Sequence, residues 1–487
     1  MKKRLGIFLG LMVFVLLLLV PPPPGMSRES LNTASVAMLM AIWWITEALH
    51  IAVTALLPLA LFPLLGITTS GQAAAPYANH LIFLFMGGFI LALSMQRWGL
   101  HRRIALNIIR LTGTRPSGII LGFMAATAFL SMWVSNTATT VMMVPIGLAV
   151  IDFFAPPPPR SRKSKSNHFA ISLMLGIAYS ASIGGIATLI GTPPNLVLAN
   201  TMEKLYNKTI GFLEWLAIGG PFSLIMIPLI WLWLTRVIYP CPRTATTGKP
   251  DVIGREIQSM GRMNRGERIT LAVFLLTALA WIFRNTKQIG SLTIPGLDQF
   301  IPGISDPSIA MFSALLLFIV PVNWRRGEFT MDWQHARKLP WGILILFGGG
   351  LSLANGFQVS GLSEWIGKQA GLFIHTPRVV FLLAIVTVVI FLTEMTSNTA
   401  TTAMLLPVLG ALAVGLGMSP LTLLIPATIA ASCAFILPVA TPPNAIVFGS
   451  GHIQIPQMAR AGIWLNLFSI LAIMALFYLY LVPVFLR

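Results

Sequence analysis

The chain has 487 residues, of which 56% are hydrophobic and 9% charged, with 32 Lys+Arg against 14 Asp+Glu. Soluble domains carry roughly 25% charged residues, so a soluble enzyme, a disordered chain, a coiled coil and a disulfide-stapled scaffold are excluded together. What remains is an all-α integral membrane protein in a lipid bilayer, and the formal charge of +18 reads as a topology signal, not as a footprint for nucleic acid.

The elements follow in chain order. Residues 2–4 are basic and residues 5–20 apolar, ending at four prolines, Pro21 to Pro24. No small-residue cleavage site follows, so the segment reads as an uncleaved first span and not as a signal peptide. A bilayer core needs about 20 apolar helical residues. By that rule further spans are expected near 33–49, 51–66, 80–97, 170–200, 215–238, 268–286, 307–323, 341–359, 420–448 and 462–486, eleven with the first. Residues 117–153 and 378–416 are too long for single spans and carry polar runs at mid-length, Ser135-Asn136-Thr137 and Ser397-Asn398-Thr399. Each is expected to be a re-entrant helical hairpin, whose broken backbone is tolerated only where protein or a water-filled cavity satisfies it.

Eleven crossings place the two termini on opposite sides. The side holding the N-terminus then carries 24 basic residues and the other side 8. The positive-inside rule puts the N-terminus in the cytoplasm and the C-terminus outside.

The two halves repeat each other. Phe85, Gly87, Gly88, Ala92, Gln96, Gly99 and Leu100 recur at an offset of 262 as Phe347, Gly349, Gly350, Ala354, Gln358, Gly361 and Leu362. At that offset Ser135 to Thr140 recurs identically as Ser397 to Thr402, and Pro145 as Pro407. Thr192-Pro193-Pro194-Asn195 returns as Thr441-Pro442-Pro443-Asn444. The expected organisation is a first helix and linker over 1–32, a first repeat over 33–240, a cytoplasmic linker over 241–267 and a second repeat over 268–487. The predicted topology inverts one repeat relative to the other. Inverted repeats with helices broken at matching positions mark a secondary transporter with its site near the midplane.

The motifs limit the chemistry. Proline lacks an N–H and disfavours helix in the residue before it, so paired prolines within a span should unwind it and free carbonyls. Ser, Asn and Thr oxygens with freed carbonyls suit a small hard cation, and half-helix N-termini suit an anion. Glu394, three residues before the second motif, faces Met132 in the other repeat. It could carry a proton, ligate a cation or brace the hairpin. Glu47 is expected at the interface. Cys241 and Cys433 define no disulfide framework, the seven histidines show no metal-ligand spacing, and no catalytic motif appears.

At these residues, and over the stretch WWITEALHIAVTALLP at 43–58, the chain resembles the divalent anion/sodium symporter family of di- and tricarboxylate transporters. The resemblance implies an elevator-type fold, a homodimer and Na+ as the coupled ion. It implies a first sodium site at Ser131, Ser135, Asn136 and the backbone near Gly191, and a second at Thr393, Ser397, Asn398 and the backbone near Ala440. It implies carboxylate contacts from Asn136, Thr137, Asn398 and Thr399, with Thr441 and Pro442 nearby. The function expected is sodium-coupled symport of C4-dicarboxylates such as succinate, malate or fumarate. The alternatives are a sodium-independent dicarboxylate/citrate exchanger, a sulfate or other divalent-anion transporter and, in a different class, an anion channel. The proline-rich basic insertion at 156–165 says nothing about substrate.

Overall fold

The computed structural model describes residues 2–113, 115–154, 167–241, 252–289 and 292–485. The insertion at 156–165 and the first part of the expected linker, 242–251, lie outside them. Helix α1 (Lys2–Leu19) packs along α2 (Arg28–Thr46), whose first turn is capped by Ser27 accepting the Ser30 N–H. Glu47 ends α2 in a left-handed conformation and is exposed. The first repeat continues with α3 (Leu57–Leu64), α4 (His80–Arg97), the amphipathic α5 (Leu100–Leu111), α6 (Pro116–Ser131), α7 (Asn136–Phe154), α8 (His168–Ile186), α9 (Pro193–Tyr206) and α10 (Phe212–Leu232). The second comprises α11 (Arg265–Ile282), α12 (Asp306–Ile319), α13 (Trp341–Val359), α14 (Leu362–Gln369), α15 (Arg378–Thr393), α16 (Asn398–Gly415), α17 (Leu421–Ala431), α18 (Pro442–Gly449) and α19 (Ile455–Leu476).

Among the described residues, six helical stretches are long and apolar enough to cross a membrane, and six shorter apolar helices accompany them. Four expected spans are corrected. Residues 51–66 form Ile51–Thr54 and then α3, interrupted ahead of Pro58. The pair extends about 21 Å at 1.5 Å per residue, short of a bilayer core. Residues 307–323 form the 14-residue α12, which stops because Val320, ahead of Pro321, is extended. The expected spans 170–200 and 420–448 are each two helices, α8 with α9 and α17 with α18, because each TPPN starts a new helix at its first proline.

The repeats exchange elements. Helix α12 of the second packs along α4 of the first, while α3 and residues 51–54 and 75–78 of the first pack against α13 of the second. Glycine permits both close crossings. A Cβ on Gly87 would meet the Ala310 backbone carbonyl carbon at 2.6 Å, and one on Gly349, its counterpart at offset 262, would collide with the Ala55 carbonyl. The Trp44 indole donates to the Ile51 carbonyl at 3.1 Å, and the matching Trp281 indole donates to the Asp306 carbonyl at 3.1 Å. Gly99 and Gly361 make the same left-handed turn, φ 73° and 78°, before α5 and α14.

These crossings predict that Gly349→Ala destabilises the protein by about 1–3 kcal/mol or more, because its clash is with backbone that cannot rotate away. Gly350→Ala meets only the Ala403 Cβ, at 3.1 Å, and should cost less. Thermal unfolding of the two detergent-purified variants separates them, and equal midpoints would refute the crossing.

Candidate functional site

Each SNT motif lies where a helix stops and restarts. Helices α6 and α7 are separated by residues 132–135, and α15 and α16 by 394–397. Each TPPN lies at a second break, 187–192 in the first repeat and 432–441 in the second. The breaks meet because α7 packs on α18 and α16 on α9, each hairpin arm against the other repeat's broken helix. Four half-helix N-termini, at Asn136, Pro193, Asn398 and Pro442, thus belong to one central region.

The same oxygen cluster forms twice. The Ser131 hydroxyl lies 2.5 Å from Asn136 Oδ1 and 2.7 Å from the Ala181 carbonyl oxygen. The Thr393 hydroxyl lies 2.7 Å from Asn398 Oδ1 and 2.8 Å from the Ala431 carbonyl oxygen. A hydroxyl has one proton and can serve only one of two acceptors, so each cluster has more lone pairs than hydrogens. Every oxygen is uncharged and hard, which is a donor set that fits Na+. The residues after the two carbonyls, Ser182 and Ser432, are buried, and their hydroxyls have no hydrogen-bond partner. Asn195 Oδ1 and Asn444 Oδ1 are unpartnered as well.

The breaks are held by amides. Asn195 Nδ2 donates to the carbonyls of Gly185, Ile186 and Thr188 at 3.1, 3.3 and 2.8 Å. Asn444 Nδ2 donates to Ala434 and Leu437 at 3.2 and 3.0 Å. The Thr188 hydroxyl reaches the Met132 carbonyl and ties the first break to its hairpin.

The expected site residues sort as follows. Ser131 and Asn136 join, and Gly185 brings Gly191 beside them: a Cβ on Gly185 would lie 2.5 Å from Asn136 Oδ1, and one on Gly191 would strike the Gly185 carbonyl. Ser135 Oγ accepts the Ala138 N–H at 3.3 Å as a helix cap, whereas Ser397 makes no such bond. Thr393 and Asn398 join, and Ala440 donates its N–H to the Leu437 carbonyl at 3.2 Å. Thr137 and Pro442 are exposed, whereas Thr399 and Thr441 are buried. Thr441 accepts the Asn444 N–H at 3.3 Å.

Sequence reasoning missed the Ala181 and Ala431 carbonyls, Gly185, and the bracing of Glu394. That carboxylate accepts from the N–H groups of Phe435, Ile436 and Leu437 and from Asn466 Nδ2. Asn466, a lone amide inside an apolar helix, was the available signal.

Comparison with known proteins matches this architecture. A family profile described as the sodium:sulfate symporter transmembrane region covers residues 1–486. The sodium-dependent dicarboxylate transporter SdcS of Staphylococcus saprophyticus is 43% identical over 481 residues, 98% of this chain and 91% of that protein. SdcS of Staphylococcus aureus (strain bovine RF122) is 42% identical over 482 residues, covering 99% and 91%. Two solved structures share the fold. The Alcanivorax borkumensis YdaH transporter has a TM-score of 0.60 at 16% identity, covering 94% of this chain and 99% of its own. Neisseria gonorrhoeae MtrF, described among antimetabolite efflux pumps, has a TM-score of 0.59 at 13% identity, covering 98% and 94%. With a family profile along nearly its whole length and relatives above 40% identity, the chain belongs to the sodium:sulfate symporter family.

Proposed function

We propose that the protein is a secondary transporter that moves a C4-dicarboxylate such as succinate, malate or fumarate across the cytoplasmic membrane together with Na+. The observation that carries this reading is the duplicated, proton-deficient oxygen cluster at Ser131–Asn136–Ala181 and Thr393–Asn398–Ala431. The relatives named as sodium-dependent dicarboxylate transporters supply the ion and the substrate class, and favour a dicarboxylate over the sulfate of the family's description. No Lys or Arg lies in either SNT or TPPN motif. The dianion is therefore held by half-helix N-termini, by Thr137, Thr399, Thr441 and neighbouring amides, and by cations already bound. Carrying cations with the anion also lowers the charge moved against the membrane potential.

The finer reading is eleven crossings and two re-entrant hairpins, with a cytoplasmic N-terminus, an external C-terminus and a homodimer moving in an elevator manner. Alternating access is supported by a contact made in one repeat and open in the other. Trp133, at the first hairpin's break, stacks on Phe212 and Trp281 and meets Phe274 edge-on, with centroids 5.7, 6.4 and 4.8 Å away. The Phe212 N–H donates to Asp306 Oδ2 at 2.8 Å, and Arg284 pairs with that carboxylate at 3.1 Å. The repeat counterpart of Trp133, Met395, is 68% exposed, and Ile455, at the start of α19 as Phe212 is of α10, is 50% exposed. A two-state transporter built from inverted repeats would exchange these two environments.

Radiolabelled succinate uptake into proteoliposomes tests the function. An inward sodium gradient should drive accumulation above equilibrium. Uptake that ignores sodium but requires internal dicarboxylate would overturn symport in favour of exchange.

A further inference from the structure

The two oxygen clusters match, but their surroundings differ by one buried charge. Glu394 follows Thr393 directly and is 3% exposed. Its Oε1 accepts from Phe435 N at 2.6 Å, Ile436 N at 3.0 Å and Asn466 Nδ2 at 2.8 Å, and its Oε2 from Ile436 N at 3.1 Å and Leu437 N at 3.2 Å. All five contacts are donated to the carboxylate, which is the pattern of an ionised acceptor. No ion pair among the described residues involves it.

Three consecutive N–H groups converging on one point form a concavity of positive potential that attracts anions. Left alone, that concavity would lie in the same break whose Ala431 carbonyl belongs to the second oxygen cluster, where it would repel a cation. Glu394 fills it and leaves net negative charge beside Thr393. The first repeat has Met132 at this position and ties its break with neutral groups, the Thr188 hydroxyl and the Asn195 amide.

We infer that Glu394 is a positioning residue that makes the second sodium site the tighter of the two, by filling the Phe435–Leu437 amide concavity and adding a fixed negative charge. This rests on the sodium-coupled reading given above. The carboxylate also fixes the peptides around Leu437, whose carbonyl takes the Ala440 N–H and the Asn444 amide. It therefore sets the geometry of the backbone near Ala440 while touching neither ion nor substrate itself.

The test is a sodium titration of succinate uptake at saturating succinate, paired with a succinate titration at saturating sodium, for wild type, E394Q and N466A. E394Q should raise the half-saturating sodium concentration about tenfold, with the succinate KM at saturating sodium held within about twofold. N466A removes one donor and keeps the charge, so it should shift sodium in the same direction by about two- to threefold. Thermal unfolding with and without sodium gives a readout independent of transport, and E394Q should lose most of the sodium-induced rise. An unchanged sodium requirement in folded E394Q would overturn the inference, as would a succinate KM rising in step with it. Where E394Q fails to fold, N466A decides, and an unchanged sodium requirement there is equally fatal. Wild-type uptake indifferent to sodium would instead defeat the coupling reading, and that is visible before any variant is made.

Discussion

Asn136→Ala and Asn398→Ala are each expected to abolish succinate uptake, by about 10²-fold or more, while the protein stays folded in the membrane. Both side chains stand at the first residue of a restarted helix, α7 and α16, and both present Oδ1 to a hydroxyl from the preceding arm. Removing either amide deletes one of three converging oxygens. A cation bound there would lose a ligand it cannot replace from hydrocarbon, and each lost or unsatisfied polar contact costs about 1–3 kcal/mol. The amide also closes the loop between arms and stands at a half-helix N-terminus where the dianion is proposed to sit, so cation and anion binding fail together. The helices themselves do not depend on it: the Thr140 and Thr402 hydroxyls bond the backbone carbonyls of residues 136 and 398, not their side chains. Uptake normalised to membrane protein checks the expectation. Near-normal transport in either variant would remove that cluster from the mechanism.

The parts of this site legible in the sequence were those with side-chain signatures. Paired SNT and TPPN motifs located all four helix breaks, because proline and a short polar run in an apolar segment are physically incompatible with a continuous span. The carbonyls of Ala181 and Ala431 carry no such signature, since any residue supplies a carbonyl, and only the fold brings them to Ser131 and Thr393. The short helices at 51–64 and 306–319 were overestimated because hydropathy counts apolar residues and does not register where Pro58 and Pro321 interrupt them. The exchange of elements between repeats is a long-range packing choice. Its trace was present in Gly87 and Gly349, conspicuous at one offset, yet nothing local says which backbone each must admit. Glu394 was recognised as exceptional, but its role depends on three peptide N–H groups some forty residues away.

Gly185→Ala is expected to leave a folded protein that no longer binds sodium productively, whereas its neighbour Gly184→Ala is expected to reduce the amount of folded protein. Both glycines lie in the last turn of α8, a helix buried along its whole length. A methyl on Gly184 collides with the Ala128 carbonyl on α6. That obstacle is backbone in a packed hairpin arm, so the arm itself must shift, at about 1–3 kcal/mol or more. A methyl on Gly185 meets a different obstacle, the Asn136 amide, with Oδ1 at 2.5 Å, Nδ2 at 3.1 Å and Cγ at 3.2 Å. That group is the end of a side chain and can rotate away, so packing is relieved at the expense of the oxygen cluster. Folding and binding are thereby separated across two adjacent residues with the same substitution. Sodium-dependent thermal stabilisation is the deciding measurement, because it reports cation binding without requiring transport. Gly185→Ala should unfold near the wild-type temperature without sodium and gain far less when sodium is added, with uptake reduced about tenfold or more. A Gly185→Ala protein with the full sodium-induced rise would mean that Asn136 Oδ1 is not a ligand in the position it occupies here, and that the first cation site lies elsewhere in the break.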